Sequence, residues 1–260
     1  MIRGVLLDMA GVLYDGEQAI EGSAEAVRRL HDAGFPIRVI TNSTRKPRRL
    51  LLRRLAKLGF DIDAEQLFTP ASAARARLVK KDHAAQLLIH PDLAEDFDDI
   101  PTGKEVQAVV VGDAAEYFTY DAMNAAFRAL MDGAELLALA NNRCFRDAGG
   151  ALSIDVGAYV AALEYASGTS ASVLGKPAQA FFETALASMQ VPAADAVMIG
   201  DDAEADVAGA LTAGIGTAGL VRTGKYRDGD EARVTPKPSF IASDLSEAVD
   251  WILNRKDRKE

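Results

Sequence analysis

The stretch Ile2-Arg-Gly-Val-Leu-Leu-Asp8-Met-Ala-Gly-Val-Leu-Tyr-Asp-Gly16 decides the fold. Its apolar run, Val5-Leu6-Leu7, reads as a short strand that delivers a single carboxylate, Asp8, before the chain turns through Ala10-Gly11. A carboxylate at the end of a strand lies where open parallel sheets gather their functional groups. The residue two beyond it is an alanine, so only one acid stands in this turn.

Outward from this strand the same unit repeats. A helix-like segment at 23–32 ends at Gly34, a strand at 36–41 follows, and a second helix at 47–58 ends at Gly59. Late in the chain a strand at 196–200 leads into a helix from about 204 to 213. Further strands are expected at 216–221 and 240–242, and a helix at 245–253 closes the pattern. Alternating strands and helices predict right-handed βαβ units on a parallel sheet. Asp8, Thr41 and Asp201 then fall at the same ends of their strands and can converge. The middle of the chain reads as a second unit, with strands near 87–90, 106–111, 136–140 and 151–155 and helices near 120–131 and 158–166. The expected fold is α/β, a Rossmann-like parallel-sheet core with an inserted smaller α/β cap. Its parts are 1–82 for the first part of the core, 83–172 for the cap and 173–260 for the second part of the core.

The totals set limits on function. The chain has 260 residues, 49% hydrophobic and 26% charged, enough to bury a sizeable core in one large domain or two modest ones. A net charge of -9 disfavours a nucleic-acid partner, which needs a basic face. The single Cys144 leaves no internal disulfide and suggests a reducing compartment. No apolar run approaches the roughly 20 residues that span a bilayer, and the first residues do not read as a secretion signal. The expectation is a soluble cytoplasmic protein with no membrane partner.

Four pieces carry chemistry: Asp8 after a strand, Thr41-Asn42 after a strand, Gly175-Lys176-Pro177 before a helix, and Gly200-Asp-Asp-Ala-Glu-Ala-Asp206 after a strand. A carboxylate at a strand end can attack phosphorus and split hydrolysis into two steps through an acyl phosphate. Asp8 and Asp201 suit Mg²⁺, an oxygen-seeking ion that keeps several waters. Lys176 offers a positive charge for phosphoryl oxygens, and Thr41 and Asn42 offer short hydrogen-bond donors.

In this order the four pieces resemble the haloacid dehalogenase-like phosphohydrolases, and the insert between the second and third resembles the larger cap of the NagD-like subgroup. The resemblance covers nearly the whole chain. It implies that Asp8 is the nucleophile and that Mg²⁺ is held by Asp8, the Ala10 carbonyl and Asp201. It further implies support from Asp206, with Asp202 as a weaker candidate, and a phosphate seated against the Met9 and Ala10 amides, Thr41, Asn42 and Lys176. The implied partner is a small phosphorylated substrate or pyrophosphate, and the resemblance also implies a homodimer through the cap.

Ala10 departs from the pattern. The usual phosphatases of the superfamily carry Asp there, which protonates the leaving group and later activates water, whereas the phosphohistidine phosphatases have serine. Such acid–base help is worth roughly 10²–10⁴-fold, or about 3–5 kcal/mol of barrier. The expectation is slow hydrolysis of substrates with good leaving groups: pyrophosphate, phosphoramidates, and acyl or aryl phosphates. Simple alkyl phosphates should react poorly, and the aspartyl phosphate on Asp8 should persist. The competing class is a phosphate-binding or regulatory protein that keeps the site without turnover. Phosphonoacetaldehyde hydrolase shares Asp-x-Ala-Gly, but it needs a lysine on a small cap between the first two motifs, and none stands between Asp8 and Thr41.

Other patterns carry less. Gly214 to Gly219 matches G-x-G-x-x-G but follows a helix and runs into a strand, the reverse of a dinucleotide site. Gly219 to Lys225 mimics a P-loop with Tyr226 where Ser or Thr must stand. Asp202 and Glu204 also fit solvated acids at a helix start. The basic run from Arg45 to Arg54 reads as a solvated helix face able to steer anions toward Thr41. His31, His83 and His90 lack metal-ligand spacing. Asn141, Asn142, Arg143 and Arg146 are expected on a cap loop facing the phosphate donor.

Overall fold

The computed structural model describes residues 1–103, 105–146 and 151–256. Two compact units emerge. The first comprises Met1–Thr41, Leu51–Phe68 and the chain from Lys176 on, and the second comprises Asn42–Leu50 and Thr69–Gly175.

The first unit is built on a six-stranded parallel sheet, with spatial order Phe240–Ala242, Thr217–Val221, Ala196–Gly200, Gly4–Asp8, Ile37–Ile40 and Leu67–Phe68. Gly4–Asp8 and Ala196–Gly200 are buried along their whole length, as expected of central strands covered by helices on both faces. From Gly4–Asp8 the chain adds strands in one direction through Ile37–Ile40. The late strands extend the sheet in the other direction from Ala196–Gly200. The order therefore reverses between Gly4–Asp8 and Ala196–Gly200, the kind of switch point at which open α/β sheets leave a crevice beyond their carboxyl ends. Helix Ser23–Asp32 turns Ala26, Val27 and Leu30 inward, beside Leu245, Ala248 and Val249 of the closing helix Leu245–Lys256. Each such fully buried Leu or Val contributes about 1.5–3 kcal/mol.

The second unit also rests on a parallel sheet, four strands in the order Ser172–Val173, Glu135–Ala138, Ala108–Val111 and Ala85–Leu88. Ala108–Val111 is wholly buried, with Ala71, Leu78 and Phe97 in the apolar cluster on one face and Ala126, Val160 and Leu163 in the cluster on the other. The strand expected at 151–155 does not join this sheet. Leu152–Ile154 pairs antiparallel with Cys144–Arg146 as a hairpin, and its Leu152 and Ile154 are exposed. Helix Pro70–Lys81, which hydrophobic spacing did not reveal, is started by Thr69, whose side chain accepts from the Ser72 amide. Among the described residues no helix is long and apolar enough to cross a membrane.

Candidate active site

At the carboxyl end of Gly4–Asp8 the chain bends sharply. Gly11 takes a φ of 87°, its amide donates to the Tyr14 carbonyl at 2.7 Å, and the Leu13 amide reaches back to the Met9 carbonyl at 3.0 Å. Asp8 is buried on the floor of this turn, the Met9 side chain is buried, and Ala10 is exposed. Asp8 stands in register with Ile40, so Thr41, also buried, begins one residue further along the neighbouring strand.

Lys176 lies within this edge. Its ammonium donates to Asp8 Oδ1, lies 2.7 Å from Asp206 Oδ1, and is 3.4 Å from the Ile40 carbonyl. Asp206 arrives through an unusual segment. The helix expected from about 204 begins as a six-residue π-turn, Ala203–Ala208, before the short α-helix Gly209–Thr212. The Val207 amide reaches the Asp202 carbonyl five residues back, and such wide turns collect at functional sites. Asp202 caps the segment by accepting from the Glu204 and Ala205 amides, and Asp206 Oδ2 accepts from the Asp202 amide at 3.2 Å. Gly200 has to be glycine here, because a Cβ on it would collide with the Asp206 side chain.

Asp201 is held by the end of the stretch Gly219 to Lys225, which the sequence offered as a P-loop mimic and not as part of the site. Its Oδ2 accepts from the Lys225 amide at 2.6 Å, the Lys225 ammonium lies 3.3 Å from Asp202 Oδ2, and the Thr223 hydroxyl donates to the Gly11 carbonyl. The only sequence signal was Thr223-Gly224-Lys225 itself, directly after an expected strand.

These buried groups shift one another. Burial pushes Asp201 up to about 6, and the Asp206 charge adds to the shift while the Lys225 amide opposes it. Burial likewise pushes Asp206 up to about 6 against the pull of Lys176. Asp8 is raised by burial against Lys176, with the Asp201 charge adding. Burial works against the Lys176 ammonium, but the Asp206 and Asp8 carboxylates outweigh it and hold the ammonium above its ordinary range. For Asp202, burial is outweighed by the Ala205 amide and Lys225, which keep it below the ordinary carboxylate range.

The donor set fits a hard divalent cation. Asp8, Asp201 and Asp206 each offer a carboxylate oxygen within 4.8 Å of the others, and all three residues are buried. Asp206 Oδ1, ion-paired with Lys176, lacks a well-aligned hydrogen bond. When ionised, the four carboxylates Asp8, Asp201, Asp202 and Asp206 face two ammonium groups, Lys176 and Lys225, leaving two negative charges. Burial penalises such a surplus, and a divalent ion bound to oxygen ligands offsets it.

The sequence-derived residues Asp8, Lys176, Asp201 and Asp206 are thus brought together. Asp202 joins them through its own amide and Lys225. Asn42 starts the second unit, where its Oδ1 lies beside Gly175. In that unit Asn141, Asn142 and Arg143 are exposed. Within the basic run, Arg49 pairs with Glu95, and Arg54 pairs with Glu17.

A family model described as haloacid dehalogenase-like hydrolase matches residues 5–100, and one described as HAD-hydrolase-like matches residues 173–248. Phospholysine phosphohistidine inorganic pyrophosphate phosphatase of Danio rerio is 43% identical over 262 residues, 98% of this chain and 96% of that protein. The p-nitrophenyl phosphatase from Archaeoglobus fulgidus has a similar structure, with a TM-score of 0.89 at 24% identity over 96% of this chain and 99% of that one. NagD from E. coli K-12 matches at a TM-score of 0.84 and 25% identity, over 95% and 98% of the two chains.

Proposed function

The chain belongs to the haloacid dehalogenase-like hydrolases and is a phosphatase, and we propose that it is a Mg²⁺-dependent one working through an aspartyl phosphate on Asp8. The observation that carries this reading is the buried carboxylate triad Asp8, Asp201 and Asp206, with one ammonium, Lys176, placed between Asp8 and Asp206. Asp8, the Ala10 carbonyl and Asp201 would hold the metal, with Asp206 and more weakly Asp202 in support, and the metal would supply charge neutralisation for the phosphoryl oxygens.

The chain's own groups account for the two steps. An Asp8 oxygen attacks phosphorus while the bond from phosphorus to the leaving group breaks, and the leaving group carries away the electron pair. Lys176 favours the ionised form of Asp8 against the effect of burial and faces the charge on the phosphoryl group during the attack. The Met9 and Ala10 amides and the Thr41 hydroxyl cradle the remaining oxygens. Water then attacks the phosphorus of the aspartyl phosphate. Phosphate leaves, and the Asp8 carboxylate is restored. Both proton transfers that an acid at residue 10 would assist fall to solvent, because Ala10 presents only a methyl group. Groups that leave readily bear this loss best, which favours pyrophosphate, phosphoramidates such as phospholysine and phosphohistidine, and acyl or aryl phosphates. The same methyl favours a second reading, a phosphatase so slow that it serves chiefly to bind phosphate.

A rapid-quench assay with p-nitrophenyl phosphate and Mg²⁺ separates the two. The proposed enzyme gives a burst of nitrophenol near one per active site and then slow turnover, and Asp8→Asn abolishes both. Equal, slow release from wild type and Asp8→Asn, repeated with pyrophosphate and a phosphoramidate, would leave the phosphate-binding reading.

A further inference from the structure

Resting on the metal reading above, we infer that the loop Thr223-Gly224-Lys225 is a backbone clamp that positions Asp201 and the Ala10–Gly11 turn for the cation. The loop follows the strand Thr217–Val221. It is anchored at its start by the Arg222 amide, which donates to the Ala242 carbonyl at 2.9 Å, and it closes with the Tyr226 amide on the Thr223 carbonyl at 3.3 Å. From that base it makes two contacts to different walls of the site. The Lys225 amide donates to Asp201 Oδ2, and the Thr223 hydroxyl donates to the carbonyl of Gly11, the residue after Ala10.

The approach is close enough to exclude side chains. A Cβ on Gly224 would collide with Asp201 Oδ2 and the Gly11 Cα, and one on Gly11 would collide with the Asp201 carboxylate and lie 3.0 Å from the Gly224 Cα. Both glycines also have positive φ, 87° for Gly11 and 62° for Gly224, a region costly for any residue with a Cβ. Two stretches more than 200 residues apart in sequence are therefore packed backbone to backbone against one carboxylate.

Magnitudes decide which part of the loop matters. The Lys225 side chain is 73% exposed where it meets Asp202, and exposed ion pairs contribute about 0–1 kcal/mol. The main-chain amide meets a mostly buried carboxylate, and hydrogen bonds to charged groups are worth about 1.5–3 kcal/mol. Groups that orient metal ligands typically change affinity by roughly 10–100-fold when lost. The amide and the glycine therefore outweigh the lysine side chain.

Calorimetric titration of Mg²⁺ into the substrate-free protein tests the clamp. The expected result is a Kd weakened roughly 10–100-fold in Gly224→Ala. A smaller weakening is expected in Thr223→Val, reversed in Thr223→Ser, and Lys225→Met should change it less than about fivefold. In Thr223→Val, kcat should return to the wild-type value at saturating Mg²⁺, which general damage to the fold would not allow. Since Gly224→Ala risks misfolding, Thr223→Val carries the test alone if circular dichroism shows Gly224→Ala unfolded. The inference is overturned if folded variants bind Mg²⁺ within twofold of wild type while Asp201→Asn does not bind it. It is also overturned if Lys225→Met is as damaging as the glycine change, since the side chain would then be the agent. A wild-type protein that binds no Mg²⁺ sinks the metal reading and the clamp with it.

Discussion

The strand Gly4–Asp8 of the first sheet runs out into a buried acid, with Asp201 and Asp206 at the same edge, whereas Ala108–Val111 of the second sheet runs out into Gly112, against Leu139 and Ile89. The polar residues at that second edge are occupied locally. His90 Nδ1 accepts from the Asp92 amide, and Asp113 accepts from the Ala115 amide and pairs with Arg45 at 3.8 Å. Both sheets are parallel and both are flanked by helices, so topology alone does not confer the chemistry. The difference lies in what is buried at the strand ends. Apolar ends stabilise a sheet through burial alone, while burial pushes three carboxylates at one edge toward protonation, with their mutual repulsion adding, and a cation would compensate them.

That contrast can be sharpened by adding an acid where the first sheet lacks one. Ala10→Asp should speed breakdown of the proposed aspartyl phosphate by about 10²–10⁴-fold, read as a steady-state rate that catches up with the burst. An unchanged rate would mean that proton transfer does not limit this enzyme. Next in size is Lys176→Met, which strands Asp8 and Asp206 without their cation. Breaking a buried charge network in this way costs about 3–5 kcal/mol, measurable by urea unfolding without metal. A loss below about 1 kcal/mol would erase the claimed difference between the two edges.

The apolar sheet should respond in the opposite manner. Leu137→Ala, at a fully buried position of Glu135–Ala138, is expected to lose about 2–5 kcal/mol of stability. It should leave the nitrophenol burst per folded molecule and the Mg²⁺ affinity unchanged. The smallest expected effect is that of metal removal. If the proposed Mg²⁺ site binds, Mg²⁺ at 100 times its Kd would stabilise the fold by about 2.7 kcal/mol, so EDTA should lower Tm in wild type and not in Asp201→Asn.

Much of this architecture was legible because the chain marks its strand ends sharply. Val5-Leu6-Leu7 stops at Asp8 and Val197-Met-Ile stops before Asp201, and an apolar run ending in an acid is visible without a structure. The helix Pro70–Lys81 was harder to see, because Leu78 is the one large aliphatic side chain on its buried face, beside Pro70, Ala71 and Ala74, while the apolar Val79 is exposed. The hairpin strand Leu152–Ile154 carries the alternation of a half-buried strand, yet its apolar residues face outward, so local pattern misled. Lys225 was illegible for a different reason. Its contribution to Asp201 comes from a peptide N–H, which every residue except proline possesses, so the letters Thr223-Gly224-Lys225 do not reveal it.

The π-turn at Ala203–Ala208 has a consequence for how this gene can vary. A wide turn accommodates one residue more than an α-turn, and each residue of an α-helix advances about 100°. Changing Ala205 for another small residue preserves the count and the direction in which Asp206 leaves the backbone. Deleting it would let the segment relax into an ordinary helix and swing Asp206 away from Lys176. Between Asp202 and Asp206 the spacing is therefore under tighter constraint than the letters, and a loss of three nucleotides there should inactivate more surely than most missense changes.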